Sequence, residues 1–139
     1  MKPAIKTSKL FPVSIIITVL IAFILPASSC SQSSTLDGKK FAVTTMEKDK
    51  PETAVNEEIV FEGGNFDNLQ CHEWGFTKGK CTTTKDGENY NFEAVTESPD
   101  EGKMTWKGMV MGDAIHGDMV WQKAGQADIT YTFQGTAKN

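Results

Sequence analysis

Small turns, most of them built on glycine, cut residues 40 to 137 into short runs in which apolar and polar residues alternate. The constraint is sharpest at Met111-Gly112-Asp113-Ala114. Glycine at the first central position fits a type II′ turn, whose twist matches that of two antiparallel strands. Counting outward from the turn, Val110 faces Ile115, Gly108 faces Gly117, Trp106 faces Met119 and Met104 faces Trp121. Two glycines therefore meet on the apolar face between large side chains. The wall can bend sharply there, and the space can hold a neighbouring ring. A bent wall suits a closed barrel better than a flat sandwich.

Other turn signals extend the pattern. Glu62-Gly63-Gly64-Asn65 joins two short runs, and Lys85-Asp86-Gly87-Glu88 carries a type I′ signal with Asp86 and Gly87 at the centre. Ser98-Pro99-Asp100-Glu101 and Ala124-Gly125-Gln126 are looser turns. The expected strands are 40–47, 57–62, 65–71, 79–85, 88–97, 102–111, 114–123 and 127–137. Tyr90, Phe92 and Ala94 oppose Asn91 and Glu93; Ile129, Tyr131 and Phe133 oppose Asp128, Thr130 and Gln134. Such alternation marks antiparallel strands with one buried face. No sustained helical period competes with it. The expected fold is all-β: an antiparallel up-and-down eight-stranded β-barrel, which leaves no free edges. A β-sandwich of the same strands is the alternative.

The first thirty residues carry a different signal. Lys2, Lys6 and Lys9 precede the apolar run Phe11 to Leu25, and Pro26-Ala-Ser-Ser-Cys30 follows. A basic start, a short apolar stretch and a small-residue cleavage site make a signal peptide. The run is shorter than the roughly 20 residues a spanning helix needs. The cut before Cys30 resembles the lipobox of bacterial lipoproteins, in which the cysteine is acylated, with palmitate among the chains. The resemblance implies a cell-envelope protein anchored through Cys30, and Ser31 in place of aspartate implies outer-membrane sorting, facing the periplasm. Ala27 and Ser29 also satisfy the rule for ordinary secretion. The division is then 1–29 signal peptide, 30–38 acylated cysteine and flexible tether, and 39–139 barrel.

After the cut, eleven lysines stand against 18 acidic residues, and the chain has no arginine. An acidic surface without arginine is a poor nucleic-acid binder and is ill-suited to bidentate recognition of phosphate or carboxylate. The implied partners are a membrane, a small apolar ligand or an envelope protein, with no nucleic acid and no cofactor.

The run from Trp106 to Trp121 and the closing Tyr131-Thr-Phe133-Gln-Gly135 resemble the C-terminal half of small bacterial calycin-like, or lipocalin-like, barrel lipoproteins. Leu36-Asp-Gly38-Lys-Lys-Phe41 resembles the entry to their first strand. The resemblance implies a ligand-holding barrel, many of its members having no assigned function. A lipocalin's glycine-x-tryptophan near the first strand is missing, with Phe41 in that neighbourhood.

Candidate sites follow from residue chemistry. Cys71 and Cys81 are an even pair in an oxidising compartment, so a disulfide is expected. It would close a loop over Trp74 and Phe76, making those aromatics an interaction loop. Register places Cys81 inward and Cys71 outward unless a bulge intervenes near Asn68-Leu69. Cys71, His72 and Cys81 offer soft ligands for zinc or copper, but their spacing fits no standard site, so no metal is assigned. Adjacent Cys71 and His72 diverge on a strand, and every serine except Ser98 lies in the leader or tether, which argues against a catalytic triad. The paired acids Glu57-Glu58 and Asp100-Glu101 point to opposite faces and make no acid–base couple. The inward aromatics Tyr90, Phe92, Trp106, Trp121, Tyr131 and Phe133 are the expected ligand-binding wall; simple core packing is the competing explanation, because eight-stranded barrels either fill or hold one small ligand. The expected function is non-enzymatic: binding of an apolar or amphipathic ligand, or alternatively recognition of an envelope protein such as a hydrolase.

Overall fold

A computed structural model describes residues 36 to 139. The signal peptide, Cys30 and the first part of the tether lie outside the described residues. Residues 36 to 139 form a closed eight-stranded barrel in which each strand pairs with its neighbours in sequence and β1 pairs with β8. The strands are β1 (Lys40–Glu47), β2 (Val55–Glu62), β3 (Asn65–Asn68), β4 (Gly79–Asp86), β5 (Asn89–Ser98), β6 (Gly102–Met111), β7 (Ala114–Gln122) and β8 (Ile129–Ala137). A short 3-10 turn, Pro51–Thr53, links β1 to β2, and a second 3-10 segment, Leu69–Trp74, follows β3.

The turns set the register. Gly63 and Gly64 both have positive φ, 60° and 76°, as a type I′ turn requires, and Phe61 pairs with Phe66. At the next hairpin only Gly87 has positive φ, and Asp86 pairs with Asn89. The central residues are therefore Gly87 and Glu88, not Asp86 and Gly87, because glycine takes the first, left-handed position of a type II′ turn. The register shifts by two, so the inward set is unchanged; Cys81 faces Ala94 rather than Phe92. Around Gly112 the pairing is the expected one, with Val110 opposite Ile115 and Trp106 opposite Met119.

Rings pack the centre of the barrel. Phe41, Phe61, Phe66, Phe92, Trp106 and Phe133 are buried there. Phe61 and Phe92 lie 5.0 Å apart between ring centroids, Phe66 and Trp106 4.9 Å, and Trp106 and Phe133 5.6 Å. The Trp106 indole donates to Thr96 Oγ1 at 3.1 Å, which satisfies its one polar atom.

The expected tether boundary at residue 38 is too late. Leu36 is fully buried in the core cluster, and the Gly38 amide donates to the Phe61 carbonyl at 2.7 Å. Asp37 Oδ1 accepts from the Gly64 amide at 3.0 Å. An apolar side chain removed from water stabilises its segment enough to order it. The segment therefore joins the barrel at the end that holds the Gly63-Gly64 turn. The described residues, Leu36 to Asn139, lie within one compact unit that contains its own core.

The second departure is at β3. The strand expected to reach residue 71 stops at Asn68, and β3 meets β4 through only Asn65–Lys80 and Phe66–Gly79. Asn68 Oδ1 accepts from the Gln70 amide at 3.1 Å, an N-cap that starts the 3-10 segment. Gly75, with φ of 80°, ends it. The gap that opens between β3 and β4 is thus spanned by a turn of helix rather than by paired strands.

Candidate functional site

The 3-10 segment forms one wall of a cavity of about 530 Å³ at the barrel end opposite Gly63-Gly64. Met104 from β6, Met119 and Trp121 from β7 and Tyr131 from β8 form the inner wall. Val55, Asn56 and Glu57 come from the start of β2; Gln70, Cys71, Glu73, Trp74 and Phe76 come from the 3-10 segment and its exit.

Hydrogen bonds hold this wall at both edges. The Gln70 side chain accepts from the Glu58 amide at 2.6 Å, replacing the strand partner that β3 no longer supplies. His72 Nε2 meets Asp67 Oδ1 at 2.7 Å. Ser98 Oγ donates to the Trp74 carbonyl at 2.9 Å and accepts from the Glu101 amide at 3.2 Å. The Glu101 carbonyl then accepts from the Trp121 indole at 2.6 Å. Ser98 and Glu101 thus connect the 3-10 segment to the opposite aromatic wall.

The acids have distinct environments. Glu101 pairs with Lys123 at 2.7 Å. Glu57 Oε2 accepts from Thr45 Oγ1 at 2.7 Å and from Asn68 Nδ2 at 2.8 Å. Burial, reinforced by Glu57, Asp67 and Glu73, pushes the Cys71 thiol from 9.0 up to about 12. Burial, with Glu47 and Glu57 adding to it, also raises the Tyr131 phenol, while Lys50 opposes the shift. At neutral pH both groups are neutral donors, and Cys71 is a poor nucleophile.

The expected site residues divide into three groups. Trp121 and Tyr131 line the cavity and are joined there by Trp74 and Phe76, so the ligand wall and the expected interaction loop are one place. Phe92, Trp106 and Phe133 instead fill the core, each no more than 2% exposed. Tyr90 lies far away, beside the Gly87 hairpin, with the Lys85 ammonium 5.9 Å from its ring centroid. Trp74 is 60% exposed, as an interaction loop would require, but Phe76 is buried at 3%.

The expected disulfide is not formed: Cys71 and Cys81 are both free and buried. Cys81 donates its amide to Gly64 at the start of β3, whereas Cys71 lies beyond the end of β3. Four residues of strand put on the order of 10 Å between them, and a disulfide needs Cα atoms within about 7 Å. The 3-10 segment, not a strand bulge, turns Cys71 inward. His72 points to Asp67 on the outer side, and among the described residues no group of three or more His, Cys, Asp or Glu is placed to hold a metal ion.

Glu57, Met104, Met119 and Glu101 also border the cavity, although residue chemistry alone does not mark them as site residues. The strand pattern already put Met104 and Met119 on the inner face beside Trp121, so their place at the mouth follows from register. Glu57 had no such signal, because its role depends on where β3 ends. No protein-family model, curated protein or solved structure matches this chain.

Proposed function

We propose that this is a non-enzymatic, lipocalin-like binding protein of the bacterial cell envelope, anchored through an acylated Cys30, that takes one small apolar or amphipathic molecule into the mouth of its barrel. The supporting observation is the cavity of about 530 Å³ walled by Trp121, Tyr131, Met104 and Met119. Its size falls in the range of small-molecule pockets, and its make-up is their usual one: mostly apolar lining with a few placed polar groups. The filled core beneath it limits the ligand to the mouth rather than the full lumen.

The test is titration of the Ser31–Asn139 unit with N-phenyl-1-naphthylamine, a neutral fluorescent probe. The expected result is saturable binding of one probe per chain, weakened by Trp121→Ala and unaffected by Tyr90→Ala at the far end. Absence of saturable binding would overturn the proposal. Anchoring is tested separately in cells: Cys30→Ala should move the protein from the membrane fraction to the soluble fraction, and unchanged fractionation would reject acylation.

A second reading, recognition of an envelope protein, is favoured by the exposed apolar residues at the rim: Trp74 at 60%, Val55 at 52% and Leu69 at 39%. Leu69 is not part of the cavity lining. Leu69→Glu should therefore abolish capture of a protein partner while leaving probe binding intact. If only probe binding is observed, the rim serves ligand entry alone.

A further inference from the structure

Resting on the ligand-binding reading, we infer that the cavity selects cationic amphiphiles: molecules with an aromatic or aliphatic body and a protonated amine or quaternary ammonium head. Three carboxylates, Glu57, Glu73 and Glu101, border the cavity, and no lysine does. Lys123 neutralises Glu101. Among the described residues, no ion pair engages Glu57 or Glu73. The cavity therefore carries an uncompensated negative charge close to its apolar wall.

Glu57 is built into that wall. Both of its neutral donors, Thr45 and Asn68, bond the same oxygen, Oε2. Among the described residues Oε1 accepts no hydrogen bond, which leaves it open to a further donor. Thr45 and Asn68 are themselves almost fully buried, at 3% and 2% exposure, so they fix the carboxylate without neutralising it. Glu73, exposed on the 3-10 segment, supplies a second negative charge at the cavity border.

Aromatic faces complete the recognition. Trp74, Trp121 and Tyr131 border the same space, and the ring quadrupole attracts a cation placed over it. A carboxylate beside several aromatic faces favours an ammonium head and disfavours a fatty-acid carboxylate, which would meet like charge. The upward shifts of Cys71 and Tyr131 come first from burial, and Glu57 adds to both, so its charge is felt at two points of the wall. The acidic excess of the chain as a whole also steers cations toward it.

The test compares three probes of nearly equal shape by calorimetry on the Ser31–Asn139 unit: 4-phenylbutylamine, 4-phenylbutanol and 4-phenylbutyrate. The amine should bind at least about tenfold more tightly than the alcohol, and the carboxylate more weakly than either. Glu57→Gln keeps an acceptor for Thr45 and Asn68 while removing the charge, so it should reduce the preference for amine over alcohol roughly tenfold. Glu73→Gln, at an exposed position outside the strands, should act in the same direction without affecting folding. Equal binding of amine and alcohol, or preference for the carboxylate, would overturn the cation inference and leave the ligand-binding proposal standing. Failure of all three probes at millimolar concentration, together with failure of the neutral naphthylamine, would overturn both.

Discussion

Gly108 and Gly117 face each other across β6 and β7, and the rings of Phe92 and Phe133 occupy the space above them. A Cβ on Gly108 would come within 2.7 Å of the Phe92 ring, and one on Gly117 within 2.7 Å of the Phe133 ring. The pair therefore does more than let the wall bend. It admits two rings into the middle of the barrel, and those rings close the lumen below the mouth. The position of the cavity follows from this packing: only beyond Trp106 does the inner face open onto Met104, Met119 and Trp121.

Substituting either glycine should destabilise the barrel. Gly117→Ala places a methyl 2.2 Å from the Lys107 carbonyl and 2.6 Å from the Gly108 Cα, both backbone atoms of the adjacent strand. Backbone cannot swing aside as a side chain does, so β6 and β7 must separate locally. A loss of about 1–3 kcal/mol is expected from overpacking, measured by urea denaturation. An unchanged midpoint would show that the wall yields more easily than its packing implies.

Trp106 separates core from site. It is fully buried and lies outside the cavity lining, although the sequence groups it with Trp121. Trp106→Phe removes part of the packed volume and the hydrogen bond to Thr96. The expected loss is about 2–4 kcal/mol, in the range of large-to-small core changes. Probe affinity should remain within roughly twofold of the parent chain, provided binding is measured well below the unfolding transition. Trp121→Ala should have the converse pattern: weakened binding with a smaller stability loss, because Trp121 is only partly buried. A large loss of affinity in Trp106→Phe would contradict this division.

Local rules made most of the barrel legible. Most strand limits, the inward faces and the pairing around Gly112 follow from alternation and turn chemistry, which act over a few residues. Even the displaced Gly87 hairpin kept its inward set, because a shift of two preserves parity. The mouth was legible only in part. Trp121 and Tyr131 are inward by alternation, but alternation does not give depth, so Phe92, Trp106 and Phe133 could not be told from lining residues. Cys71 and Glu57 depend on the end of β3 at Asn68, where a side-chain cap wins over strand pairing. That competition involves residues Glu58 and Gln70, which meet only once β2 and β3 have paired. Leu36, in a polar-looking stretch, finds its place only when the Phe61 carbonyl is there to receive Gly38.

The Cys71 thiol makes stability fall at alkaline pH. Its folded value is about 12, against 9.0 for the free group. Between those limits the unfolded chain releases the proton while the folded chain keeps it. The native state then binds more protons than the unfolded state, and unfolding becomes easier as pH rises, by up to about 1.4 kcal/mol per pH unit for one fully resolved group. The contribution is fully present below pH 9 and declines above it. Cys81 and Tyr131 are also raised, first of all by burial, and add to the same trend. Urea titrations across this range should give a shallower alkaline decline for Cys71→Ala than for the parent chain. Equal slopes would mean that the thiol is not held neutral by the fold.

Ser98 is the smallest residue whose loss should be felt on both sides of the mouth. Its hydroxyl donates to the Trp74 carbonyl and accepts from the Glu101 amide, and Glu101 in turn receives the Trp121 indole. Ser98→Ala leaves the Glu101 amide without this partner and frees the end of the 3-10 segment. A buried donor left unsatisfied costs about 1–3 kcal/mol, but the segment is paired to the sheet only through side chains and the Thr77–Glu97 bridge, so much of the effect should be local. Hydrogen exchange should quicken at the Gly75 and Phe76 amides, which bond back to His72 and Cys71, while amides of β6 and β7 keep their protection. Probe affinity should fall together with that protection, because Trp74 and Trp121 would no longer be held at a fixed separation. Faster exchange with unchanged affinity would show that the 3-10 segment covers the cavity without contributing to binding.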